Sequence, residues 1–170
     1  MVVVSCRDDA SAPVRIVAGA GPNDDLTLVP RASLAEYIEV GPGDSTLLIS
    51  LSSEARSCDG APDTPPQAVS LSVKVVLPGG AKLEPGSYPM LGVGADPQKP
   101  YALPTAKLRG NRIEFPPGGS LELRKVDLEN RGSLEGRLLF EFPGSAERPA
   151  TRISGAFRAH FCRVDRLGSP

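Results

Sequence analysis

Apolar side chains recur at every second position through much of this chain, and glycine and proline cut that alternation into short pieces. Leu47, Ile49 and Leu51 fall on one face, with Leu48, Ser50 and Ser52 between them. Leu71, Val73, Val75 and Leu77 alternate with Ser72, Lys74 and Val76 until Pro78-Gly-Gly ends the run. Leu134, Gly136, Leu138, Phe140 and Phe142 share a face opposite Glu135, Arg137 and Glu141. Ile153, Gly155, Phe157, Ala159 and Phe161 do so opposite Arg152, Ser154, Arg158 and His160. A period of two belongs to a strand with one face in the core and one in water. The 18 glycines and 18 prolines work against long helices, glycine through its backbone entropy and proline through its missing N–H.

Shorter strands are expected at Val14–Ala18, Leu26–Val29, Arg112–Phe115 and Ser120–Val126. Residues 31–40 are ambiguous. Their composition suits a helix capped by Ser33, but Tyr37-Ile-Glu-Val runs into Gly41-Pro-Gly-Asp, and a strand is the preferred reading. The connections lack the 3.6-residue periodicity of crossover helices, so parallel doubly wound sheets are excluded. The expected fold is all-β with little helix, an antiparallel β-sandwich or, alternatively, a partly closed β-barrel; alternation does not separate the two. Residues 1–13 read as an N-terminus with a flexible tether, 14–166 as one β domain and 167–170 as a tail. Two long connections stand out, 53–69 and 88–107. Loops of that length are usually functional or tied down.

Charge excludes one class of partner. The 19 basic residues are balanced by 20 acidic ones, whereas a nucleic-acid binder needs clustered positive charge. No apolar run reaches the roughly 18 residues of a membrane-spanning helix.

Cys58 lies in the first long connection and Cys162 ends the last alternating run, 104 positions later. In an oxidising compartment these two are expected to form a disulfide; the alternative is two unrelated free thiols. With no Cys-x-x-Cys and a single histidine, His160, the usual zinc ligand set cannot be assembled.

The third cysteine has a different setting. Val3-Val-Ser-Cys6 resembles the lipobox of bacterial lipoproteins, which implies lipidation of Cys6, membrane attachment through it, and Arg7-Asp-Asp-Ala-Ser-Ala-Pro as the spacer. Only Val2-Val-Val precedes Ser5, whereas a signal peptide carries an apolar stretch of ~7–15 residues. The alternatives left open are that Val2–Ser5 is a first strand and that Met1 is the true start of a cytoplasmic protein.

Four further segments, Gly86-Ser-Tyr, Gly119-Ser-Leu-Glu-Leu-Arg-Lys-Val-Asp, Gly136-Arg-Leu-Leu-Phe-Glu-Phe and Ser154-Gly-Ala-Phe-Arg-Ala-His-Phe-Cys, resemble uncharacterised secreted or lipoprotein-like bacterial β proteins. Those close on a strand of the form Gly-x-Phe-x-Ala-x-x-Cys. The resemblance covers residues 70–163 and implies an extracytoplasmic location and a β fold, with no activity attached.

Catalytic patterns are lacking. His160 has no Ser or Cys nucleophile identifiable beside it, and neither a Gly-x-Ser-x-Gly elbow, a P-loop nor a His-Glu-x-x-His occurs. Asp8-Asp9 and Asp24-Asp25 are adjacent pairs that suit turns, and Asp127-Leu-Glu-Asn-Arg-Gly lacks the ligand spacing of a calcium loop. No catalytic residue, metal or cofactor is therefore expected. The segment 88–107 is the candidate for partner binding, through Tyr88, Met90, Leu91, Tyr101 and Leu103; the competing reading has these side chains covering one end of the core. The expected function is a non-catalytic binding or structural module of the cell envelope, secreted or lipid-anchored, with a protein or glycan partner. The alternative is a small envelope hydrolase or calcium-dependent carbohydrate-binding domain.

Overall fold

The structure, a computed structural model, describes residues 14–18, 25–40, 43–54, 56, 58, 69–91, 96–108, 111–114, 118–129, 131–142 and 150–167. It is all-β. In chain order the strands are β1 (Val14–Ala18), β2 (Asp25–Leu28), β3 (Ala32–Val40), β4 (Ser45–Ser52), β5 (Ser70–Leu77), β6 (Gly86–Pro89), β7 (Tyr101–Leu108), β8 (Asn111–Glu114), β9 (Gly119–Val126), β10 (Ser133–Phe142) and β11 (Thr151–Leu167). All but the first of residues 31–40 are strand (Ala32–Val40), as the run into Gly41-Pro suggests.

The strands form one sheet, and eight of them, in the order β6-β9-β10-β11-β3-β4-β5-β7, make a nearly closed barrel. Alternation does not separate sandwich from barrel, and the topology shows why. The ring consists of two four-stranded antiparallel halves, β3-β4-β5-β7 and β6-β9-β10-β11. The halves meet at two junctions, and at both the strands run parallel. The pattern within each half is thus that of a sandwich sheet, and only the two junctions turn the pair into a barrel. The β1–β2 hairpin attaches to β11, and β8 attaches to β7.

One junction pairs β11 with β3 over seven register positions, His160↔Leu34 through Leu167↔Val40. The other is a single bridge, Met90↔Ala102. There the Met90 N–H donates to Gly119 O (3.1 Å) and the next N–H, of Leu91, to Ala102 O (3.3 Å). Successive residues thus bond to opposite neighbours, β9 and β7, which is what a strand placed between them requires.

The inward positions fill the ring. Tyr37, Phe140, Leu47, Ile49, Leu71, Val73, Leu121, Leu134 and Ile153 are all essentially inaccessible and belong to one hydrophobic cluster. An eight-stranded barrel is just wide enough for side chains to fill. Room for Phe157 comes from Gly136 directly opposite: a Cβ there would lie 2.9 Å from the Phe157 ring and 2.4 Å from Glu122 O. Gly119, which accepts the Met90 bond, has φ +105°, and a Cβ would lie 1.9 Å from Leu139 O. Glycine at that position is a condition of closure.

Two expectations need correction. The 88–107 segment is not one long loop: Tyr88 belongs to β6 and Tyr101 and Leu103 to β7. The segment is rich in proline, which cannot donate to a ladder. Pro104 is tolerated because Ala102 O faces the closing junction, so by alternation the Pro104 nitrogen faces that edge too. It falls there between the Met90 bridge at residue 102 and the start of β8 pairing at Thr105. The last strand also runs past Cys162 to Leu167. The register shift between Phe161 and Arg163 leaves Cys162 as the extra residue of a bulge. Phe161 is buried, Arg163 exposed and Val164 packed against the core, so the bulge inverts the inside–outside phase.

Candidate functional site

Cys58 and Cys162 form a disulfide, with Cα atoms 5.0 Å apart and 104 positions between them in sequence. Its place in the sheet is more informative than its presence. Cys58 belongs to the connection between β4 and β5, whose neck is closed by Ser53 N–H to Val69 O (3.0 Å) and Val69 N–H to Ser53 Oγ (3.1 Å). Cys162 is the bulged residue of β11, and β3 lies between β11 and β4 in the sheet. The bond therefore straddles β3 and clamps it within the parallel junction. Cys58 is exposed and Cys162 half-buried. Cys6 lies outside the described residues.

An open cleft of about 460 Å³ adjoins Cys162, lined by Leu128, Glu129, Arg131, Phe161, Arg163 and Val164. Three of these side chains, Glu129, Arg131 and Arg163, are charged. Arg163 is ion-paired with Asp165, whose hydrogen bond and charge hold the guanidinium above its ordinary range. Arg131 stands beside Glu129 in a tight turn, at φ 64°, closed by Gly132 N–H to Glu129 O (2.9 Å).

The two halves of the barrel present different outer faces. On β9-β10-β11 most outward residues are charged, Glu141 pairing across strands with Arg152 (3.4 Å), Glu135 with Arg158 (3.6 Å) and Glu122 with Arg124 of its own strand (3.3 Å), while one row, Ser120, Leu139 and Ser154, leaves Leu139 41% exposed. Such half-exposed pairs contribute at most a few tenths of a kcal/mol each, but the cross-strand ones favour one register. On β4-β5-β7 the outward residues are hydroxylic and apolar. Ser50, Ser72 and Thr105 form one cross-strand row, and Leu48, Lys74 and Leu103 the next. Leu48 is 39% and Leu103 37% exposed, so this face keeps two leucines in water on either side of one lysine.

The candidate binding residues are therefore separated. Tyr88 and Met90 are 5% and 7% exposed and belong to the core. Leu91 and Tyr101 are half-buried, and Leu103 stands on the outer face just described. Tyr88 also ties its own strand down: its hydroxyl donates to Glu84 O (2.6 Å) and accepts from Glu84 N–H (3.2 Å). The sequence does not single out Leu48 or Lys74, each of which fills an outward position of an alternating run. Only the register, which places them beside Leu103, makes them neighbours.

His160 is exposed and stands opposite Ser133 on β10 and Leu34 on β3. Glu135, a carboxylate of β10 on that face, is engaged with Arg158. Among the described residues, no group of three or more His, Cys, Asp or Glu side chains is placed to hold a metal ion, and no helix is long and apolar enough to cross a membrane. No family model, no curated protein and no solved structure matches the chain.

Proposed function

We propose that this protein is a non-catalytic binding or structural module of the bacterial cell envelope, exported and held there as a secreted or Cys6-lipidated protein. The observation that carries the reading is the Cys58–Cys162 disulfide, because such bonds form and persist mainly in oxidising compartments. The lipobox-like Val3-Val-Ser-Cys6 and the Gly155-to-Cys162 strand support the same location. A side-chain-filled barrel favours recognition on the outside over a ligand held within. The contact face in this reading is that of β4, β5 and β7, where Leu48 and Leu103 flank Lys74, and the partner is a protein or a glycan.

The test is expression from the natural gene with its upstream sequence, followed by cell fractionation and mass spectrometry without reduction. The expected result is envelope-fraction protein with a linked Cys58–Cys162 peptide pair; a diacylglycerol-bearing Cys6 peptide would select the anchored form over the secreted one. Protein confined to the cytoplasm with both cysteines freely alkylated would overturn the reading.

A further inference from the structure

We infer that the Cys58–Cys162 disulfide is a redox-operated latch on one seam of the barrel, whose reduction by a dithiol frees β3 from the end of β11 while the rest of the sheet stays paired. The inference concerns the fold's own mechanics and stands whether or not the protein is an envelope module.

Three features concentrate weakness at this seam. Its ladder is parallel, which is slightly less stable per residue than an antiparallel one. It is interrupted at Cys162 by a bulge, which removes one residue from the pairing. It also lacks support along β11. On this edge β1 pairs with residues 151–154 and β3 with residues 160–167, so among the described residues 155–159 have a ladder partner only on the β10 side. The opposite edge of β11 is continuous, with ten consecutive antiparallel pairs to β10.

The bond is placed to be both effective and reachable. It ties the β4–β5 connection across β3 to the bulge itself. Cys58 is exposed whereas Cys162 is half-buried, which makes Cys58 the more open side of the bond to a reagent. A dithiol thiolate attacks Cys58 Sγ, forming a mixed disulfide and expelling Cys162 as a thiolate, which takes up a proton. The second thiol of the reagent then displaces Cys58, leaving two protein thiols and an oxidised cyclic or protein disulfide. Two electrons pass to the protein. Unlatching exposes the facing edges of β3 and β11, rows of N–H and C=O groups able to accept another strand.

Hydrogen–deuterium exchange of the full chain with and without dithiothreitol tests this. On reduction, the amides within 34–40 and 160–167 that bond across the seam should lose protection by about tenfold or more, while those of β3 that bond to β4 and those of 133–142 and 151–159 keep theirs. The double variant Cys58→Ser/Cys162→Ser should show the reduced pattern without reagent and not respond to it. Unchanged protection at the seam, or an equal loss in every strand, would overturn the latch, as would a double variant that keeps the oxidised pattern.

Discussion

The two parallel junctions of the barrel solve the same problem by different means. Where β11 meets β3, seven register pairs and a bulge are held by a covalent bond that crosses over β3. Where Met90 meets β7, a single bridge is held by burial: Met90 is 7% exposed and Tyr88, one position before the β6 end, 5%. The junctions lie on opposite sides of the ring, each separating the same two four-stranded halves. The comparison teaches that closing a barrel at a parallel contact demands an extra term beyond the ladder. One junction draws it from the unfolded state and the other from the folded core. The first can be cancelled by redox chemistry without touching the core, and the second cannot.

The largest expected effect comes from removing the covalent term. A disulfide closing a loop of about 100 residues removes denatured-state entropy worth up to about 4.7 kcal/mol. The double variant Cys58→Ser/Cys162→Ser should therefore lose about 4 kcal/mol of unfolding free energy in urea titrations against the oxidised wild type. A loss below about 1 kcal/mol would mean that native-state strain offsets the entropy and that the seam is held by its ladder alone.

Truncating the other junction should come second. Met90→Ala removes a buried side chain at the point where β9 and β7 share one strand, and such changes cost about 2–4 kcal/mol. Its loss of hydrogen-exchange protection should centre on residues 86–91 and 101–103 and leave the β3–β11 seam unaffected. Protection lost equally at both seams would show that the barrel opens as one unit and that the contrast between the junctions is only one of composition.

Much of this architecture is legible in the sequence, and the missing part has a physical reason. The alternation of Leu71 to Leu77 and of Ile153 to Phe161 reports strand and inward face directly, because both follow from local geometry. The pairing of Cys58 with Cys162 follows from the absence of a metal pattern. The closing contacts are not local. Met90 reads as loop because Pro89 precedes it and Pro104 lies in the strand it must meet. The bulge leaves only a faint trace, two successive outward residues at Cys162-Arg163 before Val164 turns in. For the candidate site, Tyr101 and Leu103 could be named from their composition, but Leu48 and Lys74 join them only through register, which a single strand does not encode.

The smallest effect discriminates most finely, because it separates the hydrogen-bonding contribution of Tyr88 from its packing. Tyr88→Phe keeps the ring in the core and removes the donor to Glu84 O and the acceptor of Glu84 N–H, at a cost of about 1 kcal/mol near neutral pH. Burial, outweighing the favourable Glu84 backbone bond, pushes the Tyr88 hydroxyl above its ordinary value of 10.0. A proton held more tightly by the folded chain stabilises it fully while both states are protonated. That contribution fades as pH rises past the unfolded value, where only the unfolded chain releases its proton. Wild type should therefore lose stability above about pH 10 faster than Tyr88→Phe, and the gap between them should narrow in urea titrations across that range. A gap that stays constant from neutral pH to alkaline pH would show that Tyr88 ionises alike in both states, and the absence of any gap would show that it holds its junction by packing alone, as Met90 does.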